Sequence, residues 1–154
     1  MYERILVPTD GSNVAQSAVD HAIDLATKYD AELHALYVAD TDAIAYSLGA
    51  EQVDRIRQGN FAGMTELRQK AETATGYVAE LAEEQGVDVV EHQAGGQPHD
   101  MIADYAEDHN IDLIVMGSHG RAGVRRALLG SVTERTLRST HVPVLVVDVQ
   151  GTEE

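Results

Sequence analysis

The sequence contains no cysteine and no tryptophan, one phenylalanine, three prolines and only two lysines, Lys28 and Lys70. The absence of cysteine excludes disulfides, thiolate zinc sites, iron–sulfur clusters and cysteine nucleophiles by inventory, and it suits a reducing cytoplasm. No apolar run approaches the ~20 residues that span a bilayer, because polar residues interrupt each one, so no membrane partner is expected. The opening Met1-Tyr2-Glu3-Arg4 leads into a short apolar strand rather than a basic segment and a long hydrophobic stretch, so no signal peptide is expected. Cations are also scarce. Eleven Lys and Arg face 26 Asp and Glu, giving a formal charge of -15 and a pI near 4.6. A general nucleic-acid surface needs basic residues to displace counterions from phosphates, so that function class is excluded. The acidic, lysine-poor surface points instead to a cytoplasm of high salt, where self-repulsion is screened.

What is present fits one domain. The 154 residues suffice for a real core, with residues 1–149 read as a single unit and 150–154 as a frayed tail. Arg4-Ile5-Leu6-Val7 predicts a short buried strand ended by Pro8 and the turn Thr9-Asp10-Gly11. Ser12 is a plausible N-cap, and Val14, Ala15, Ala18, Val19, Ala22, Ile23 and Ala26 share one helical face. Leu33 to Val38 is a second strand. The mixed stretch Ala39 to Asn60, with a short helix around Ala43 to Leu48, is placed over a pocket.

Phe61, Met64, Leu67, Ala71, Ala74, Val78 and Leu81 predict a long amphipathic helix ending at Gly86, followed by a strand from Val87 to Val90 and a turn at Gly95-Gly96. Pro98 opens another helix with Met101, Ile102, Tyr105 and Ala106 inward, stopped by Asn110. Strand four is Leu113 to Met116, a helix opens near Ser131, and Val142 to Val147 is the last strand. Continuous apolar strands alternating with amphipathic helices imply an α/β fold: a five-stranded parallel sheet, order 3-2-1-4-5, with helices on both faces in a Rossmann-like arrangement. Such a sheet opens a crevice at the carboxyl ends of strands one and four, where Asp10 and Gly117 lie.

The segment from Gly117 to Ser131 joins a buried strand to a helix at that crevice. Glycines at 117 and 120 free the backbone so that consecutive N–H groups can converge on phosphate oxygens. Gly130 and Ser131 stand at the helix start, where unpaired N–H groups and the dipole favour an anion. Arg121, Arg125 and Arg126 concentrate three cations in one loop of an acidic chain, available either to phosphates or to ordinary surface ion pairs. The glycines alone are also compatible with a long turn and a helix cap. There is no Gly-Lys-Ser/Thr, hence no Walker A loop, and no dinucleotide glycine triplet follows strand one.

At these residues the chain resembles the ATP-binding branch of the universal stress protein family. That branch is marked by Gly-x-x-Gly, nine residues, then Gly-Ser/Thr, and Gly117, Gly120, Gly130 and Ser131 satisfy the pattern without insertion. Ile5-Leu6-Val7-Pro8-Thr9-Asp10-Gly11-Ser12 and Val142-Pro143-Val144-Leu145-Val146-Val147 match the family's two ends. The resemblance implies an adenine nucleotide alpha hydrolase-like fold that binds ATP, with magnesium or manganese held mainly by the phosphates. It implies that Pro8, Thr9, Asp10 and Val38 line the adenosine side and that Met116 and Gly117 border ribose and phosphates. Gly120, Gly130, Ser131, Val132 and Thr133 would receive the phosphates through backbone amides and the two hydroxyls. It also implies a homodimer through the strand 142–147, whose apolar edge invites pairing.

The seven histidines, His21, His34, His92, His99, His109, His119 and His141, show no metal-ligand spacing; His119 lies in the loop, either touching a phosphate or exposed on a turn. No acid–base pair or activated nucleophile has a recognisable spacing. Together with the resemblance, this makes the expected function a nucleotide-dependent, homodimeric stress sensor or signalling module with an unidentified protein partner. The alternative is a slow ATPase or self-phosphorylating enzyme using Ser131 or Thr133.

Overall fold

The computed structural model describes residues 1–44, 49–61, 63–119 and 129–148. Strands β1 (Arg4–Pro8), β2 (Glu32–Asp40), β3 (Val89–Gly96), β4 (Leu113–Gly117) and β5 (Val144–Val147) form one parallel sheet in the order β3-β2-β1-β4-β5. The helices are α1 (Asn13–Tyr29), α2 (Thr41–Ile44), α3 (Ala50–Arg57), α4 (Thr65–Glu84), α5 (Pro98–Asp108) and α6 (Ser131–Ser139).

Because successive strand side chains alternate between faces, each buried strand feeds two cores. Ile5, Val7, Leu33, Ala35, Leu113 and Val115 pack against Ala18, Val19, Ala22 and Ala26 of α1 and Val78 and Ala82 of α4. Leu6, Leu36, Ile114 and Met116 face the other way, onto Ile102, Tyr105 and Ala106 of α5 and Val132 of α6. Helices α1 and α4 thus cover one face and α5 and α6 the other, so the connections leaving β1 and β4 diverge.

Helix α1 starts at Ser12, whose hydroxyl accepts the Ala15 N–H at 3.3 Å, and all seven positions expected on its inward face are buried. The edge strand departs from the sequence reading. Val87 to Val90 was expected as strand and Gly95-Gly96 as turn, but β3 pairs with β2 from Val89 to Gly96. The glycine at 95 serves close approach: a Cβ there would run into the Ile56 carbonyl of α3. Ile56, Phe61, Ala39 and Ala71 form a satellite core beneath this segment. The helix expected around 43–48 meets the structure only at the end of α2, residues 45–48 lying outside the described set. The long helix begins at Thr65 rather than Phe61, and the last strand at Val144 rather than Val142.

Candidate nucleotide site

The carboxyl ends of β1, β2 and β4 meet at the diverging point of the sheet. After Pro8, the Thr9 N–H donates to the Leu36 carbonyl at 2.9 Å, extending the strand pairing by one residue and burying Thr9. The next turn is held by its own side chains: Gly11 N–H donates to Thr9 Oγ1 at 3.1 Å and Ser12 N–H to Asp10 Oδ1 at 2.9 Å, with Gly11 at φ +82°. Asp10 is thereby fixed, half-buried, at the mouth. Val38 is half-buried against the core that contains Met116. Met116 itself is buried, and Gly117 allows close packing of α1, since a Cβ there would come within 2.5 Å of Val14 Cγ1.

Three bonds close the base of the loop that leaves β4. Ser118 N–H donates to the Val147 carbonyl, Gly130 N–H to the Ser118 carbonyl and Thr133 Oγ1 to the Gly117 carbonyl, each at 2.8 Å. A Cβ on Gly130 would meet His119 Cα at 2.9 Å, so the outgoing and returning legs touch where glycine is required. Gly120, with Arg121, Arg125 and Arg126, lies outside the described residues.

This closure engages two of the groups expected at the phosphates. The amide of Gly130 donates to the Ser118 carbonyl. The hydroxyl of Thr133 points inward to Gly117 in a residue only 2% exposed, so it braces the loop. The donors at the mouth are the amides of Ser131, Val132 and Thr133. Gly130 is the extended N-cap of α6 and supplies no side-chain cap; Glu134 N–H already bonds the Gly130 carbonyl at 3.0 Å. The three amides ahead of Glu134 have no acceptor among the described residues, as expected of a first helical turn without a capping side chain. Ser131 is exposed and its hydroxyl stands beside them.

Three main-chain donors, one hydroxyl and the positive end of a helix dipole match the acceptor-only chemistry of phosphate, so the residues present fit a polyphosphate. Asp10, Thr9 and Val38 stand on the neighbouring strand ends. Among the described residues no group of three or more histidine or carboxylate side chains could hold a metal ion, so a divalent cation here would depend on the ligand's own oxygens.

Sequence reading missed a further contact. Ser118, 6% exposed, donates from Oγ to Asp148 Oδ1 at 2.8 Å and lies 3.2 Å from His119 Nδ1. The 30-residue separation of Ser118 and Asp148 leaves no local signal. Elsewhere, a cavity of about 480 Å³ opens at the opposite end of the sheet, lined by Glu3, Arg4, Asp30, Glu32 and Asp88 among others. Its carboxylates make it unsuited to phosphate despite its size. No helix among the described residues is long and apolar enough to cross a membrane.

Comparison with known proteins shows what the chain is similar to. Universal stress protein MJ0531 of Methanocaldococcus jannaschii is 40% identical over 148 residues, covering 96% of this chain and 82% of that protein. The solved structure of MJ0577 superposes with a TM-score of 0.79 at 31% identity, covering 99% of both chains. A universal stress protein solved in complex with cAMP superposes with a TM-score of 0.67 at 25% identity, covering 96% of this chain and 97% of that one. The model of the universal stress protein family matches residues 1–148, and the chain belongs to that family.

Proposed function

We propose that this protein binds ATP at the mouth between β1 and β4 and acts as a nucleotide-dependent sensor or signalling module in the stress response. The observation that carries the reading is the start of α6: three amides with no acceptor among the described residues, behind a glycine cap, at the diverging point of the sheet. The amides of Ser131, Val132 and Thr133 with the Ser131 hydroxyl would hold the phosphates, and Pro8, Thr9, Asp10, Val38, Met116 and Gly117 would border the nucleoside. Gly120 belongs to the same proposed site through the glycine pattern. Magnesium or manganese would supply charge neutralisation among the phosphate oxygens. That a relative was solved with cAMP supports the adenine preference.

Mass spectrometry of ligand released from freshly purified protein tests the reading. An adenine nucleotide at near-stoichiometric yield is the expected result; empty protein that also fails to take up added ATP would refute it. The slow-ATPase reading keeps only Ser131 as a hydroxyl at the mouth, since Thr133 is turned inward. Labelled ATP incubated with the protein should therefore be recovered intact, and phosphate release that Gly130→Asp abolishes would favour the enzyme.

The signalling form is proposed as a homodimer through the strand of residues 142–147. Leu145 of this edge strand is 37% exposed. Light scattering at micromolar concentration should give twice the chain mass, and a monomer contradicts this part. The acidic surface suits a cytoplasm of high salt; an unfolding midpoint indifferent to salt would count against that setting.

A further inference from the structure

Ser118 engages its amide, its carbonyl and its hydroxyl in holding the loop base together. The N–H donates to the Val147 carbonyl at 2.8 Å, which carries the pairing of β4 with β5 one residue beyond Gly117 and Val147. The carbonyl accepts the Gly130 N–H at 2.8 Å, and Gly130 is the N-cap of α6. The hydroxyl donates to Asp148 Oδ1, also at 2.8 Å; this is the shorter and charge-assisted of its two contacts, His119 Nδ1 lying at 3.2 Å.

The opening of α6 is thereby fastened, through one residue, to the end of the edge strand β5. With its N–H held by Val147 and its hydroxyl held by Asp148, Ser118 is gripped at two points, and its carbonyl is aimed at Gly130. The amides of Ser131, Val132 and Thr133 follow Gly130 directly, so the direction they face depends on where that carbonyl holds the Gly130 N–H. A binding constellation tolerates only about 0.5 Å of misplacement, which makes such an anchor consequential. By charge alone, a carboxylate two hydrogen bonds from the N-cap of α6 would repel an anion there. Its use at this position is to aim donors rather than to attract the ligand.

We propose that Ser118 and Asp148 are positioning residues of the nucleotide site, which hold the amides opening α6 in place for phosphate by fastening Gly130 to the end of β5. This inference rests on the nucleotide reading above. It reverses the sign that charge alone gives: truncating Asp148 weakens ATP binding although it removes a negative charge.

Calorimetric titration of ATP with magnesium into the full chain tests this in wild type, Ser118→Ala, Asp148→Ala, Asp148→Asn and the variant carrying both alanines. Each single alanine variant should bind about tenfold more weakly, the worth of one charge-assisted hydrogen bond. The double variant should lose no more than either single one, because Asp148 acts through the Ser118 hydroxyl. Asp148→Asn keeps an oxygen acceptor for Ser118 and should recover most of the loss. Ser118→Ala leaves both main-chain bonds in place, so its unfolding midpoint should stay close to wild type while its Gly130 amide exchanges faster with solvent. Should Ser118→Ala fail to fold, the two variants at the exposed Asp148 carry the test. Alanine variants that bind as tightly as wild type or more tightly overturn this proposal while leaving the nucleotide reading intact. So do losses that add in the double variant, or an equal loss in Asp148→Asn and Asp148→Ala. Absence of ATP binding by the wild-type chain overturns both.

Discussion

The two ends of the sheet are chemical opposites built from the same strands. At the amino end, Asp112 Oδ2 accepts the Glu3 and Arg4 amides at 2.8 and 3.0 Å, and Glu3, Asp30, Glu32 and Asp88 rim the cavity there. Carboxylates satisfy the backbone at that end and repel anions from it. At the carboxyl end every helix that follows a parallel strand begins, so helix dipoles and first-turn amides accumulate. Helix α1 caps its Ala15 amide with the Ser12 hydroxyl, whereas α6 opens on Gly130, which brings no side-chain cap, and leaves the amides of 131–133 without an acceptor among the described residues. In a chain of net charge -15, the described residues at the carboxyl end can attract an anion through the main chain.

The sharpest way to break this contrast is to carry the amino end's chemistry to the carboxyl end. Gly130→Asp sets a carboxylate on the α6 N-cap, where it would cap the amides and repel phosphate. ATP affinity should fall at least a hundredfold, about 3 kcal/mol, the worth of one or two charge-assisted hydrogen bonds. The new Cβ also crowds His119 Cα, so thermal unfolding must accompany the titration.

Thr133→Val is next in size. It removes the donor to the Gly117 carbonyl from a buried site and should lower stability by about 1–3 kcal/mol, measured by denaturant unfolding, because the carbonyl is left without that partner. Unchanged stability would mean the loop base is held without this brace. Asp112→Ala is the control at the other end. It should cost about 1 kcal/mol of stability through the Glu3 and Arg4 amides and leave ATP affinity unchanged.

The smallest effect lies on the face covered by α5. His34 Nδ1 lies 2.7 Å from the Tyr105 hydroxyl and Nε2 2.8 Å from Glu32; His92 and His109 lie against the same tyrosine ring. Partial desolvation of its ring, then the neighbouring His109 and His34, holds His92 below its ordinary value of 6.5. The unfolded chain then binds the proton first, so this contribution to stability is present above pH 6.5 and is lost as pH falls below it. Burial, then Glu32, pushes Tyr105 up to about 12 from 10.0, so its contribution is full below pH 10.0 and is lost as pH rises through about 12. Unfolding midpoints across this range should decline at both ends, the acid limb weakening in His92→Gln. No change in the acid limb would place the proton uptake elsewhere.

How much of this was legible in the sequence depended on the range of the interaction. The inward face of α1 could be read because helical periodicity is local, and all seven expected residues are buried there. The strand order followed from alternation of apolar strands with amphipathic helices. Strand β3 was misread because an edge strand need not be apolar: Glu91 and His92 are exposed while their backbone pairs with β2. At the candidate site, Gly117 and Gly130 stand in the two legs of the loop base, and Ser131 opens α6. The inward turn of Thr133 and the contact from Asp148 through Ser118 to His119 join positions 16 and 30 residues apart, and residue identity alone carries no sign of them.

The central claim is that the amides opening α6 gather a polyphosphate. Backbone amide spectra recorded while ATP with magnesium is added test it directly. Large shifts at Ser131, Val132 and Thr133, with Glu3, Arg4 and Asp112 still, are the predicted result. Saturable binding that moves the amino-end amides and leaves 131–133 unchanged would contradict it.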